Sequence, residues 1–334
     1  MSKNIKYKWK INGTIIRDCG KVILYGKRSL SIIKNKDNYT WVEQFLTRLD
    51  NGISDLELTK YANSPAITCL IEKMKSFGLL VKDDGRYEDT ALQKSYDFLR
   101  FHKRKLYDDN LFEFNCVPRI SILGCGGVGA NIAINLLLSG FKKFILVDFD
   151  RVSNSNLNRQ FPYTKDDVGQ LKTSSLKQHM LSYGIDDVDI VCFNFMIDSL
   201  DNLDNKLPIP DFIVCGIDYP LYDSKLRVAD YAIKHAVPVV FGGCGYEQIF
   251  VGPLLNSKEM LYKYKSYLKD ISGSLQRQNK MISGSLPSVN SLLTSILTQE
   301  IINYFYQISS CTSMGKVFSV DVFNYKFLEL VNFN

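Results

Sequence analysis

Ile120-Ser121-Ile122-Leu123-Gly124-Cys125-Gly126-Gly127-Val128-Gly129, followed by Phe144-Ile145-Leu146-Val147-Asp148-Phe149-Asp150, decides the reading of this chain. The first run predicts a strand entering a glycine turn, with the apolar stretch Ala130–Leu138 as the following helix. Gly124, Gly126 and Gly129 have Gly-x-Gly-x-x-Gly spacing, and Gly127 is an additional glycine. Such a turn brings backbone N–H groups against a phosphate at a helix N-terminus. Asp148, at the end of the next strand, is placed to take a ribose hydroxyl, with Asp150 close by. These residues alone favour a nicotinamide or flavin enzyme.

Outward from there, strand and helix patterns alternate. Lys172–Leu181 and Lys225–His235 read as helices, and Val188–Phe193, Asp211–Gly216 and Pro238–Phe241 as strands. The expected class is α/β, a Rossmann-like, mostly parallel sheet. Val289–Phe305 reads as a terminal helix, with a hairpin across Asn324-Tyr325 after it.

The front of the chain differs. Short alternating runs at 8–11, 14–16 and 22–25 predict strands, with Asn12-Gly13 as a hairpin turn. Three helical segments follow, one ended by Asp50-Asn51-Gly52, one over 53–61 and one begun by Ser64-Pro65, and Leu80–Tyr87 reads as a hairpin. This order predicts a small α+β winged-helix domain over residues 1–90. The third helix carries few side chains suited to reading bases; the alternatives to DNA binding are an exposed strand edge and helix that hold an extended peptide, or a domain that only packs or dimerises. Residues 91–334 form the second expected domain, opened by a charged connecting helix.

The loop after Asp150 points away from hydride transfer. Asn156, Asn158, Arg159 and Gln160 cluster there, and Lys172 follows. A dinucleotide needs no such pair of cations, whereas charge developing on a triphosphate does. Asp218, just past the strand at 211–216, is placed to hold Mg²⁺ against phosphates.

This ordered set, with Val168-Gly169-Gln170-Leu171-Lys172 and Gly216-Ile217-Asp218, resembles the ThiF/MoeB/ubiquitin-activating-like family of adenylating enzymes over about residues 91–334. The resemblance implies attack of a carboxylate on the α-phosphate of ATP, giving an acyl-adenylate and pyrophosphate. It implies that Asp148 holds the ribose, that Arg159 and Lys172 bind phosphates, that Asn156 and Gln160 line the site, and that Asp218 binds Mg²⁺. It further implies a homodimer in which an arginine enters the partner's site. Arg100-Phe101-x-x-Arg104 matches that motif loosely, with Arg104 the first candidate and Arg100 the second.

The chain departs from most relatives in lacking any Cys-x-x-Cys pair, so no zinc site is expected. No cysteine lies between Gly245 and Ser310, which argues against a thioester intermediate. With the front domain, this resembles the branch that modifies ribosomally made antibiotic precursor peptides, in the pantocin-type manner and more distantly the microcin C7-type. The expectation is a leader bound by residues 1–90, a carboxylate adenylated in the second domain, and attack by a neighbouring group of the peptide, such as adjacent Glu side chains. The alternatives are adenylation of a C-terminal Asn, or of a sulfur-carrier protein. Residues 253–288, with Lys258, Lys263, Lys265, Lys269, Arg277 and Lys280, are expected to form a crossover lid facing acidic side chains.

Bulk properties agree. A composition 46% hydrophobic and 23% charged fits globular folding, and a net charge of +6 without a dense basic stripe argues against a nucleic-acid partner. Eight scattered cysteines suit a reducing compartment. No signal-like or membrane-length apolar run is present, so a cytoplasmic location without membrane partner is expected.

Overall fold

The computed structural model describes residues 8–18, 21–26, 28–33, 39–63, 65–102, 114, 118–274 and 284–334. The chain divides into two compact units, Met1–Asn115 and Cys116–Asn334.

In the first unit, β1 (Lys8–Ile11) is followed by β2 (Thr14–Asp18), β3 (Lys21–Tyr25) and β4 (Leu30–Ile33), then by α1 (Tyr39–Asp50), α2 (Asp55–Tyr61), α3 (Pro65–Ser76), β5 (Leu80–Asp83) and α4 (Gln93–His102). Strands β2, β3 and β4 form one antiparallel sheet. Helix α2 starts on a reciprocal cap: Ser54 Oγ accepts from Glu57 N at 3.3 Å, and Ser54 N donates to Glu57 Oε2 at 3.0 Å. Phe45, Leu46, Leu49 and Met74 close the core against Trp9, Val22 and Leu24.

Both expected hairpins of this unit are corrected. Asn12-Gly13 links β1 to β2 but not as a hairpin, because β1 pairs antiparallel with β5, Trp9 opposite Lys82. The Asn12 side chain instead donates to the Gly78 carbonyl at 3.0 Å. Leu80–Tyr87 is one strand followed by turns, since the Asp83 and Asp84 carboxylates capture the N–H groups of Gly85 and Arg86 at 2.9 and 3.1 Å. Helix α4, expected to open the second domain, belongs to this unit.

Arg100 on α4 is also corrected. Its guanidinium is buried and meets Asp83 at 2.9 Å and Asp97 at 2.9 Å. An arginine engaged in this way is not free to serve another subunit. Arg104 lies outside the described residues.

In the second unit, the elements are β6 (Arg119–Leu123), α5 (Gly129–Leu138), β7 (Lys143–Val147), α6 (Lys172–Leu181), β8 (Asp189–Phe193), α7 (Leu200–Lys206), β9 (Phe212–Cys215), α8 (Leu221–His235), β10 (Val239–Cys244), β11 (Gln248–Leu255), α9 (Lys258–Ser274), α10 (Pro287–Tyr306), β12 (Lys316–Asp321) and β13 (Phe327–Asn332). They build one sheet in the order β13-β12-β11-β10-β9-β6-β7-β8. The five strands β10, β9, β6, β7 and β8 run parallel, and β11, β12 and β13 extend the sheet antiparallel. The chain passes from β6 to β7 on one side and returns as β9 on the other, so the strand order reverses at β6. Ligands of such sheets bind at the carboxyl ends of the strands beside that reversal.

The lid expectation fails over residues 253–274. Residues 253–255 belong to β11, and α9 is a packed helix whose Leu261, Tyr264 and Leu268 are buried with Val228, Ala232 and Phe241. The spacing of those three residues makes one apolar stripe, which outweighs the charge of the opposite face. Lys265 is paired with Asp230, and Lys263 with Glu259 at 3.1 Å, so neither is free for a substrate. Arg277 and Lys280 lie outside the described residues.

Burial alone would raise the Asp83 carboxyl. The Gly85 N–H and the Arg100 guanidinium outweigh it and hold the group below the usual carboxylate value. The stability it confers is therefore present above the unfolded-state value and lost as pH falls through the lower folded value. Arg100→Ala should destabilise the first unit by about 3 kcal/mol and flatten its acid dependence. Urea unfolding of the full chain between pH 7 and pH 3 checks this, and an unchanged midpoint would contradict it.

Candidate active site

The glycine turn is shaped by close backbone approach. Gly124 has φ +89°, and a Cβ there would lie 2.9 Å from the carbonyl oxygen of Gly216, just past the end of β9. A Cβ on Gly129 would fall 1.9 Å from the Gly124 carbonyl oxygen. Helix α5 therefore starts hard against β6, and no side chain caps its first turn. Its N–H groups face the carboxyl ends of β6 and β9, an arrangement that attracts an anion. Cys125 lies within the turn, fully buried, and burial pushes its thiol well above the usual value.

Acidic and basic groups of the neighbouring strand are tied to this turn. Asp148 Oδ2 accepts from Cys125 N at 2.7 Å, and Oδ1 accepts from Asp150 N at 2.8 Å. Burial raises the Asp148 carboxyl, and nearby Lys172 opposes that shift. Lys172, the first residue of α6, is buried and places its Nζ 2.8 Å from Asp150 Oδ2. Tyr163, missed in the sequence reading, is buried with its hydroxyl 2.8 Å from the Cys125 carbonyl and 3.2 Å from that of Lys172.

Residues 153–160 form a short helical turn and loop beside the glycines. Arg159 packs there, its Cγ 3.6 Å from where a Gly127 Cβ would be. Its Nη1 donates to the Ser155 carbonyl at 2.7 Å and to Asn158 Oδ1 at 3.0 Å. Gln160 is buried against Gly126, and its Oε1 has no partner. Asn156 shapes the loop, its Oδ1 accepting from Ser153 N at 3.0 Å. Asn131 also escaped the sequence reading. It donates to the Gly127 and Arg159 carbonyls at 2.8 and 3.0 Å, fastening loop to turn.

A third segment comes from far along the chain. Asn158 Nδ2 donates to the Ser285 carbonyl at 3.1 Å, and Asn290 on α10 holds Ser285 Oγ at 2.6 Å. The Asn290 side chain fills the space a Cβ at Gly127 would need. The available signal at Asn131 was a polar residue in the first turn of a largely apolar helix; Asn290 is one of many polar residues on α10 and carried no such signal.

Asp218 is exposed beyond β9, beside the glycine turn, and makes no hydrogen bond or ion pair among the described residues. No cluster of three or more metal-binding side chains occurs among them either. The unit thus brings Gly124, Gly126, Gly127, Gly129, Asp148, Asp150, Arg159, Gln160, Lys172 and Asp218 to the carboxyl edge of the sheet at its order reversal.

Residues 114–333 match the model of the ThiF family. The chain belongs to the ThiF family. Among solved structures, this ThiF-family chain is similar to E. coli MccB with ATP, with a TM-score of 0.70 and 20% identity over 98% of this chain and 97% of that one. Selenomethionine PaaA gives a TM-score of 0.63 and 20% identity over 79% and 91%. At these identities the likeness is one of fold. The Saccharomyces cerevisiae protein tRNA threonylcarbamoyladenosine dehydratase 2 is 33% identical over 122 residues, 36% of this chain and 27% of its own length. The chain thus spans about a quarter of that relative. No helix among the described residues is long and apolar enough to cross a membrane.

Gly129→Ala should abolish ATP binding and lower the unfolding temperature, because the Gly124 carbonyl that the methyl would strike is backbone and cannot swing aside. Calorimetry and thermal unfolding test this, and a stable variant that binds ATP would refute it.

Proposed function

We propose that this chain is an ATP-dependent adenylating enzyme that activates a carboxylate of a ribosomally made precursor peptide. The observation that carries the reading is the convergence of an uncapped α5 N-terminus, two cations and a free carboxylate at one sheet edge. The orphaned buried Gln160 Oε1 and the open space over Gly126, where a Cβ would meet nothing nearer than Gln160 Nε2 at 3.9 Å, fit a nucleotide there. Asp148 would take the ribose, and Arg159 and Lys172 would meet the negative charge that builds at the α-phosphate. Asp218 would hold Mg²⁺ against the phosphates, where one carboxylate suffices because phosphates and waters complete the shell.

In the proposed reaction a carboxylate oxygen bonds to the α-phosphorus and pyrophosphate departs. A nucleophilic group of the same peptide then attacks the acyl carbon and displaces AMP. The absence of cysteine between Gly245 and Ser310 supports this direct capture over a thioester. Holding both peptide groups in one site supplies rate through proximity. The first unit takes the leader, by strand addition to its sheet or along its helices.

A second reading follows from E. coli MccB, which is similar over 98% of this chain and is described as a microcin C7 biosynthetic enzyme in complex with N-formylated MccA. In that reading a C-terminal carboxylate is activated. Products tell the two apart: a cyclised peptide loses water and leaves AMP in solution, whereas the second retains the nucleotide.

Pyrophosphate release from ATP with a candidate precursor peptide is expected to rise many-fold over ATP alone. Absence of stimulation from protein that binds ATP would sink the proposal. Asp218→Ala and Lys172→Ala should each lower the rate at least about a hundredfold, as loss of preorganised charge does. If Arg104 enters a partner's site, mixing Arg104→Ala with Asp218→Ala protein restores part of the activity. No recovery despite subunit exchange argues against a shared site.

A further inference from the structure

The carboxyl edge holds one more cation, which no motif assigns. Lys225 stands on the second turn of α8. Val228, Ala229 and Ala232, three, four and seven residues on, are fully buried with the sheet residues Ile213 and Cys215. Lys225 therefore lies on the inner stripe of the helix. Helical side chains lean toward the N-terminus, and the N-terminus of α8 lies just past the end of β9. The Lys225 ammonium is thus directed to the carboxyl edge of the sheet, not along the core.

Its surroundings give it no ion-pair partner among the described residues. Its electrostatic neighbours are Cys215, the last residue of β9, and Asp218. No described residue hydrogen-bonds or ion-pairs with it. The side chain is half-buried, and enclosure of the ammonium lowers its proton affinity below that of an ordinary lysine, with Cys215 and Asp218 opposing. A desolvated cation without a partner is costly. At this stripe position a methionine would pack without that cost, so the charge calls for an anion that arrives with a ligand.

Resting on the ATP reading above, we infer that Lys225 binds the β,γ-phosphate end of the nucleotide, on the β9 side of the crevice, while Arg159 and Lys172 serve the α-phosphate from the β7 side. The strand order β9-β6-β7 separates the two sets across the glycine turn. When the carboxylate oxygen bonds to the α-phosphorus, the bond to the bridging oxygen breaks and its electron pair leaves on pyrophosphate. No proton moves, and Lys225 meets the charge of that leaving group, as a cation held by Asp218 would.

The test compares ATP with AMP, which lacks the two outer phosphates. Calorimetry in Mg²⁺ is run on the full chain as wild type, Lys225→Met and Lys225→Arg. Lys225→Met should weaken ATP binding by roughly tenfold or more, the effect of losing a charge-assisted contact, and leave AMP binding unchanged. Lys225→Arg should retain most of the ATP affinity. The methionine variant should unfold at an equal or higher temperature, because it removes a desolvated charge. Equal weakening of ATP and AMP, or unchanged ATP binding in Lys225→Met, would overturn the assignment. So would ATP affinity that falls in step with unfolding temperature in both variants. Wild-type protein that binds neither nucleotide overturns the ATP reading itself, whereas a Lys225→Met variant that binds ATP as tightly as wild type overturns the role of Lys225 alone.

Discussion

The rest of the second unit depends on one close approach, the contact of three backbone segments at Gly124, Gly129 and Gly216. Each lacks a Cβ where one would strike a main-chain atom of another. The approach lets β6 and β9 lie side by side while α5 departs at once from the end of β6. It leaves the helix N-terminus open and brings the chain just after β9, with Asp218, to the same edge. A single methyl group at Gly129 would separate the helix from the strand, and with it the phosphate cradle from the carboxylate.

Around that contact, charges are arranged in pairs before any ligand arrives. Lys172 rests on Asp150, and Asp148 rests on two backbone N–H groups. Buried groups held in this way need little rearrangement when phosphate charge changes during reaction, which is the main source of electrostatic catalysis. Arg159 is anchored through one nitrogen to its own loop. Among the described residues, Lys225 and Asp218 are groups of this edge that no hydrogen bond or ion pair holds. This edge is thus held by protein contacts on its β7 side and less so on its β9 side, the sides that the proposed reading gives to the ribose and α-phosphate and to the outer phosphates.

The parallel sheet was legible because its strands are short apolar runs, and three of the four intervals between them carry a helix readable in the sequence. The ends of the chain were less so. Strand β11 carries Gly252-Pro253 in its middle, and proline argues against a central strand. It is accommodated because Gly252 takes φ +84° with its α-carbon close to the Lys316 carbonyl. Helix α7, Leu-Asp-Asn-Leu-Asp-Asn-Lys, looks like a loop by composition and is held by its Ser199 cap and the buried Leu203. Helix α9 was read by its lysines instead of its apolar stripe. In the first unit, Asn12-Gly13 gave a valid local turn signal, but the long-range pairing of β1 with β5 prevailed. Of the site, the glycines and charged residues were legible from spacing. Tyr163, Asn131 and Asn290 were not, because each acts through a contact between segments distant in sequence.

The thiol of Cys125 has a practical meaning beyond packing. It sits closed inside the phosphate turn, protonated and shielded, while Cys69 on the first unit is exposed. Alkylation at Cys125 therefore requires the turn to open, and its rate counts those openings. Idle in the proposed reaction, the thiol is a built-in clock for the breathing of the glycine turn, and a nucleotide bound there would slow it.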